Sequence, residues 1–292
     1  MMRWSKRFAL VLLGLSMPML PVQAQTAAGV DAPRYAMPST QMWDMASDSG
    51  DIYRIFVSYP GGEAPERGYP VLYLLDGNAI FASFAETRRL LEYARMGDMI
   101  VVGVGYPTDA AYDARRTGDY VEPSPDPRDP ASARTPLRPD GRGKFLDFLT
   151  GKLRTEIGNR YKIDRGRQSL FGHSFGGLLA LHALYTRPQA FHSIVAASPS
   201  LEWNQFGSLR EEREFTSKLT AGKVGRTSRL MVVVGGRDID DDPQPAESLV
   251  RRLDLLSGHG LRTRLRRYEE EGHMTVPARA VTDVFRFIIE PR

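Results

Sequence analysis

The segment Gln168–Ala180 carries a serine between two glycines, in the pattern Gly172-His173-Ser174-Phe175-Gly176. An apolar run precedes the pattern and a stretch of small and apolar residues follows it, which predicts a strand that turns sharply into a helix. The turn would lift the hydroxyl of Ser174 clear of the sheet, with glycines on both sides because a side chain there is expected to collide with its neighbours. The backbone N–H of Phe175 and the positive end of the helix would then face a developing oxyanion.

A serine hydroxyl becomes a good nucleophile only when a base accepts its proton, and histidine is the usual base. We expect His273 to fill this role, because it lies beyond the last predicted strand. In folds that carry the nucleophile on such a strand-to-helix turn, the nucleophile, the acid and the histidine follow one another in that order along the chain. His173 is expected to pack beneath the turn. The remaining histidines are expected in the core, on the surface or in a turn: His182, His192 and His259.

The sequence leaves alternatives for the acid that would orient His273. Asp238 follows the predicted strand Arg229–Val234 and precedes three further aspartates, Asp240 to Asp242. We place the acid at Asp238, although the same run would also suit a solvated loop. A backbone carbonyl that orients the imidazole would leave the same sequence, so a Ser/His dyad stays an alternative.

Apolar runs that predict buried strands alternate with segments of helical periodicity along the chain. This alternation predicts a mostly parallel sheet with helices on both faces. The proline-rich stretch 106–143 is predicted to be a long loop that acts as a lid or a binding wall. The predicted strands are Asp51–Tyr59, Pro70–Leu75, Met99–Gly105, Phe191–Ala197, Arg229–Val234 and Leu261–Tyr268, and the helices are Ala79–Ala94, Lys144–Tyr161, Leu178–Tyr185, 208–221, Ala246–Leu256 and Val276–Ile289.

The first 24 of the 292 residues combine a basic start, an apolar run and a small-residue cleavage motif, which predicts a secretory signal peptide. Residues 25–292 are predicted to form one catalytic domain, exported to the periplasm or, alternatively, secreted. The chain has no cysteine, which excludes a lipoprotein anchor, a disulfide and a thiolate metal site. No metal-binding spacing occurs, so neither metal nor cofactor is expected. Without the signal the charges nearly balance, which argues against nucleic acid as a partner, and no membrane insertion is expected.

Four segments together resemble the esterase-D-like branch of the α/β hydrolases: Val71–Ala79, Gly172–Leu178, Ala197–Trp203 and Glu271–His273. Within this branch the chain is most similar to periplasmic esterases that hydrolyse the trilactone of enterobactin-type catecholate siderophores. The resemblance runs from about Tyr35 to the C-terminus. It implies an α/β-hydrolase fold, with a mostly parallel central sheet and helices on both faces.

The resemblance also implies roles for individual residues. Ser174 would be the nucleophile and His273 the base, and the amides of Asn78 and Phe175 would be the oxyanion donors. Arg115 and Arg116 lie in a segment that resembles the one whose arginine faces the anionic siderophore, and Trp203 would contribute to an aromatic wall of the substrate site. Two departures stand out: Glu202 occupies a position where the family often has a second tryptophan, and these siderophore esterases can operate without a recognisable acid.

These features predict a serine esterase that opens ester bonds of a catecholate trilactone, iron-loaded or iron-free, and so aids iron release. The partner would be a small anionic siderophore. A general exported carboxylesterase or an acyltransferase of the same fold is the enzymatic alternative. A binding protein without turnover is disfavoured, because binding alone would not require both Ser174 and His273.

Overall fold

The computed structural model describes residues 35–123, 138, 140–238 and 242–290. The predicted signal peptide, residues 1–24, lies outside this range. The strands of the described residues are β1 (Thr40–Ala46), β2 (Ile52–Ser58), β3 (Tyr69–Leu74), β4 (Ile100–Gly105), β5 (Ile163–His173), β6 (Ser193–Ala197), β7 (Arg229–Gly235) and β8 (Thr263–Tyr268). The helices are α1 (Gly77–Leu91), α2 (Arg115–Tyr120), α3 (Gly141–Phe148), α4 (Arg154–Arg160), α5 (Phe175–Thr186), α6 (Trp203–Phe206), α7 (Ser208–Thr220), α8 (Pro243–Asp254) and α9 (Val276–Ile289).

All these strands belong to one sheet with the order β1-β2-β4-β3-β5-β6-β7-β8. The pairs β1–β2 and β2–β4 are antiparallel, and every other neighbouring pair is parallel. Strands β3, β4, β6 and β7 are buried throughout, as continuous apolar runs predict, and β5 is buried over its second half, from Gln168 to His173. Edge strand β1 is largely exposed. The predicted mostly parallel α/β fold is confirmed.

Apolar side chains cover the sheet on both faces. On one face Phe84 of α1 and Phe285 of α9 approach to 5.9 Å between ring centroids, above strand residues such as Leu72 and Phe171. On the other face the α3, α4, α5, α7 and α8 helices contribute to a second buried cluster. The described residues from Met37 onward form one compact unit. Within the described ranges, no helix is both long and apolar enough to cross a bilayer.

One local prediction was wrong, and another is confirmed with an irregularity inside the helix. The stretch 106–143 is not loop throughout, because it contains α2, whose residues Thr117 to Tyr120 are buried. The predicted helix Lys144–Tyr161 is interrupted by a π-helical turn over Leu149–Leu153. The wider π turn suits the spacing of four residues from Leu149 to Leu153 and on to Ile157, all of which stay buried.

The topology explains where a site forms. Strands β3, β5, β6 and β7 run parallel, so their carboxyl ends meet at one edge of the sheet, where ligands of open α/β sheets bind. Three residues just beyond these ends have positive φ although they are not glycine: Asp76, Ser174 and Ser198. Backbone strain of this kind concentrates at functional sites.

Candidate active site

Ser174 lies at the turn between β5 and α5, with φ 59° and ψ −120°. Its N–H donates to the carbonyl of Ala197 on β6 at 2.9 Å, so the strained residue is fixed to the neighbouring strand. A Cβ on Gly172 would overlap the carbonyl oxygen of Gly176, whereas a Cβ on Gly176 would make only ordinary contacts of 3.4 Å or more. The expectation that both glycines avoid collisions was therefore wrong for Gly176.

The structure brings His273 and Asp238 together. His273 Nδ1 lies 3.1 Å from Asp238 Oδ2, and both side chains are buried. Two backbone hydrogen bonds join the loops that carry these side chains. The N–H of Arg237 donates to the carbonyl of Glu271 at 2.9 Å, and the N–H of Gly236 donates to the carbonyl of Tyr268 at 2.8 Å. A carboxylate at Nδ1 holds the imidazole in the tautomer whose Nε2 can accept a proton.

His173 packs under the turn, as its position beside Ser174 predicts. Its Nε2–H donates to the carbonyl of His273 at 2.8 Å, and the two rings lie 4.6 Å apart. Burial, together with the nearby His273, lowers the pKa of His173 to about 3, so the ring is neutral at neutral pH. This neutral ring ties the loop of the candidate base to the elbow strand.

Ser200 is a neighbour of the candidate nucleophile that the sequence reasoning missed. Its Oγ lies 3.1 Å from Ser174 Oγ, and its N–H donates to the Ser174 carbonyl at 3.4 Å. The left-handed Ser198, with φ 35°, helps to turn the chain back after β6. The Ser-Pro-Ser run was visible in the sequence as part of a motif, but it carried no signal for this contact.

The candidate oxyanion donors lie in the first turns of two helices, where backbone N–H groups have no intrahelical partner. Phe175 is the first residue of α5, and Asn78 is the second of α1. The side chain of Asn78 is held by the segment after β4: its Nδ2 donates to the carbonyls of Tyr106 and Thr108 at 3.0 and 2.8 Å. Only the backbone of Asn78 is therefore available as a donor at this turn.

The predicted substrate contacts have protein partners. Arg115 forms a bidentate pair with Asp113 and is 40% exposed. Arg116 forms a bidentate pair with Asp76 at 2.7 and 2.8 Å and is 12% exposed. Trp203 donates from Nε1 to the carbonyl of Glu122 at 3.0 Å. Contact of these three residues with a substrate stays a prediction.

The other histidines have different surroundings. His182 Nδ1 lies 2.8 Å from a carboxylate oxygen of Glu211, and His192 Nδ1 lies 2.9 Å from Ser193 Oγ. His259 ends a short 3₁₀ turn. In the part of the chain that the structure describes, no group of three or more His, Cys, Asp or Glu residues is arranged to hold a metal ion.

Known proteins resemble this chain in sequence and in structure. Residues 47–269 match the model of the family described as "Putative esterase". Ferri-bacillibactin esterase BesA of Bacillus subtilis is 33% identical over 276 residues, which cover 88% of this chain and 92% of that protein. The siderophore triacetylfusarinine C esterase of Aspergillus fumigatus is 37% identical over 187 residues, 61% of this chain and 62% of that protein.

Among solved structures, the BES protein from Bacillus cereus matches with a TM-score of 0.81 and 30% identity, covering 90% of this chain and 100% of that one. The siderophore hydrolase EstA from Aspergillus nidulans matches with a TM-score of 0.74 and 29% identity, covering 88% and 97%. The predicted kinship with siderophore esterases is confirmed. The chain belongs to this esterase family, and it is a serine ester hydrolase with the α/β-hydrolase fold.

Proposed function

We propose that this enzyme hydrolyses the ester bonds of a catecholate siderophore trilactone, iron-loaded or iron-free, and thereby aids the release of iron. The observation that carries the proposal is an elbow serine whose neighbour His173 contacts the loop of a His273–Asp238 pair, in a chain that is 33% identical, over 88% of its length, to a ferri-bacillibactin esterase. A relative from Emericella nidulans is a siderophore enterobactin esterase, 37% identical over 188 residues. These names support a siderophore as the substrate class.

In the proposed mechanism Ser174 Oγ attacks the ester carbonyl while His273 takes its proton. The amides of Phe175 and Asn78 stabilise the oxyanion, because first-turn N–H groups are fixed before the charge develops. The C–O bond then breaks, and His273 returns the proton to the leaving alkoxide. Water, activated by the same histidine, hydrolyses the acyl-enzyme and regenerates the serine. Asp238 orients the imidazole and stabilises its cation.

The enzyme is proposed to act after export. The signal-like residues 1–24 would direct the chain to the periplasm, with secretion as the alternative, and would be removed there. The comparison of periplasmic and cytoplasmic fractions by immunoblotting, with mass measurement of the N-terminus, tests this proposal. A full-length chain that stays in the cytoplasm would contradict it.

The substrate is tested with purified protein beginning at residue 25, incubated with ferric and iron-free enterobactin. Mass spectrometry should show stepwise addition of water to the trilactone, and Ser174→Ala protein should show none. A simple neutral ester in competition separates a dedicated siderophore esterase from a general carboxylesterase. Efficient turnover of the neutral ester with no product from either form of the siderophore would overturn the substrate assignment.

A further inference from the structure

Arg116 touches both of the strand-to-helix turns that carry the candidate oxyanion amides. At the first turn it holds the carboxylate of Asp76, two residues before Asn78, through Nε and Nη2. At the second turn Nη2 reaches the carbonyl of His173 at 3.5 Å, one residue before Ser174. Its guanidinium also lies 5.5 Å from the centroid of the Phe175 ring. One side chain therefore bridges the two turns.

The first turn depends on this contact. Asp76 is the N-cap of α1, but its side chain does not cap the helix, because both carboxylate oxygens accept from Arg116 instead. Its backbone is left-handed, with φ 54°, and its N–H donates to the hydroxyl of Tyr120 at 3.1 Å. Residues in this region of φ and ψ persist only where the surroundings hold them. Here the surroundings are supplied by α2.

Arg116 is enclosed by protein side chains, as a residue with a structural role is. Aromatic rings surround it, with Tyr120 at 5.2 Å and Tyr112 at 5.3 Å from the guanidinium carbon. Burial lowers the pKa of Arg116, but the adjacent Asp76 carboxylate more than offsets this, so the pKa lies above its ordinary value. A substrate anion could reach this cation only in competition with a buried bidentate partner. Neighbouring Arg115 is paired near the surface instead.

We infer that Arg116 is a positioning residue, which sets the separation of the Asn78 and Phe175 amides through Asp76 and the elbow. It would therefore act on turnover of every ester, and not on recognition of an anionic siderophore. The inference rests on the proposed function, because it assigns the same two amides to the oxyanion. It replaces the substrate contact predicted for Arg116 with a contact inside the protein.

The experiment compares Arg116→Lys with a matched control, Arg264→Lys, on p-nitrophenyl acetate and on ferric enterobactin. Arg264 also forms a bidentate pair, with Glu290 at 2.9 and 2.8 Å, but it lies near the start of β8, away from the site. Lysine keeps the charge but cannot form the bidentate pair. Titration with a fluorophosphonate, left to completion, counts the sites with a competent Ser174. For Arg116→Lys we expect kcat per titrated site to fall tenfold or more on both substrates, with KM changed less than twofold. For the control we expect kcat on the neutral ester to stay within twofold of the wild type.

A second variant separates positioning from folding. The double variant Arg116→Met/Asp76→Asn removes both buried charges together, so no unpaired charge is left in the interior. We expect it to fold and to titrate with one equivalent, while kcat stays at least tenfold low. Wild-type kcat per titrated site in both variants would overturn the inference and leave the pair a purely structural role. A raised KM for the siderophore alone would overturn it in favour of substrate binding.

Failure of the proposed function would look different. If wild-type protein leaves enterobactin intact, the neutral ester still decides the role of Arg116. If Ser174→Ala hydrolyses both esters as fast as the wild type, the proposed mechanism itself fails. The two ideas can therefore be rejected separately.

Discussion

The turns at Asp76 and at Ser174 are built alike and used differently. Each follows a buried parallel strand, has a non-glycine residue at positive φ as the N-cap of a helix, and lacks a side-chain cap. Each thereby places a first-turn amide at the same edge of the sheet. The difference lies in the side chain. That of Asp76 is buried and paired with Arg116, whereas that of Ser174 is half-buried and its Oγ lies 3.1 Å from the hydroxyl of Ser200.

The same positive-φ turn can therefore serve two purposes. Positive φ at a non-glycine residue costs about 1–3 kcal/mol, which the surrounding structure must offset. At Asp76 the contacts that hold the turn are the ion pair with Arg116 and the hydrogen bond from the backbone N–H to the hydroxyl of Tyr120. At Ser174 the hydrogen bond from its N–H to the carbonyl of Ala197 holds the backbone, and the lack of a Cβ at Gly172 leaves room for the turn. The hydroxyl of Ser174 is therefore not needed to hold the turn.

The largest expected effect is the loss of turnover in Ser174→Ala. Because the Ser174 hydroxyl packs little, the variant should keep the wild-type melting temperature, while kcat falls on the order of 10⁶-fold if this is the nucleophile. Stopped assays with an activated ester and thermal unfolding measure the two quantities. A kcat near that of the wild-type protein would contradict the difference between the two turns, because the Ser174 turn would then be as purely structural as the Asp76 turn.

The next effect concerns the acid. With Asp238 Oδ2 at 3.1 Å from His273 Nδ1, Asp238→Asn should lower kcat by about 10⁴-fold, because the amide favours the wrong tautomer of the imidazole. The loss should remain smaller than that of Ser174→Ala. The pH profile of kcat on a neutral ester, measured for both proteins, gives the result. A loss of less than about tenfold would favour the Ser/His dyad.

The sequence reveals the parts of this site that follow from local pattern. Buried strands appear as continuous apolar runs, and the turn after β5 appears as a fixed arrangement of glycine and serine. The sequence also placed Asp238 and His273 after consecutive strands of a parallel sheet, which predicts that they meet. The first two predictions depend on residues close together in the chain. The third depends on the order of the strands, because Asp238 and His273 are 35 residues apart.

The sequence does not reveal contacts between side chains that are far apart in the chain. Arg116 and Asp76 are 40 residues apart, and a pair of adjacent arginines in a proline-rich stretch resembles a solvated loop. The helix α2 has only six residues, with a glycine in it, so its propensity is weak and tertiary packing decides its conformation. The contact of Ser200 with Ser174 likewise depends on the left-handed turn at Ser198, which no local sequence pattern predicts.

Glycine substitutions sharpen the comparison of the two turns. A Cβ at Gly172 would overlap the backbone of Gly176, one at Gly77 would lie 2.8 Å from the carbonyl carbon of Gly103, and one at Gly176 would meet nothing closer than 3.4 Å. We expect Gly172→Ala to cost about 3 kcal/mol or more of unfolding free energy, Gly77→Ala less, and Gly176→Ala under about 1 kcal/mol. Urea unfolding of the three proteins tests this order, and equal losses at Gly172 and Gly176 would contradict it.

The last effect depends on pH and concerns His173, which directly precedes Ser174. Its carbonyl faces Arg116 and its Nε2–H donates to the loop of His273. Its Nδ1 is buried and has no hydrogen-bond partner among the described residues, so protonation would bury a charge and an unsatisfied donor. Besides His273, the charged groups that act on its ring are Arg116, which opposes protonation, and Asp238, which favours it.

Because the folded pKa of His173 is about 3 and that of an unfolded histidine is about 6.5, the unfolded chain binds the proton more readily. The stability that the neutral ring contributes is present above about pH 6.5 and is lost as the pH falls toward 3, by about 2 kcal/mol at pH 5. His173→Gln can keep the bond to the His273 carbonyl but cannot titrate. Urea unfolding at pH 7 and pH 5 should therefore show the wild type losing about 2 kcal/mol relative to this variant. The comparison with the variant is needed because burial raises the pKa of Asp119 to about 6, which adds stability in both proteins as the pH falls. An unchanged difference between the two proteins would show that His173 does not resist protonation.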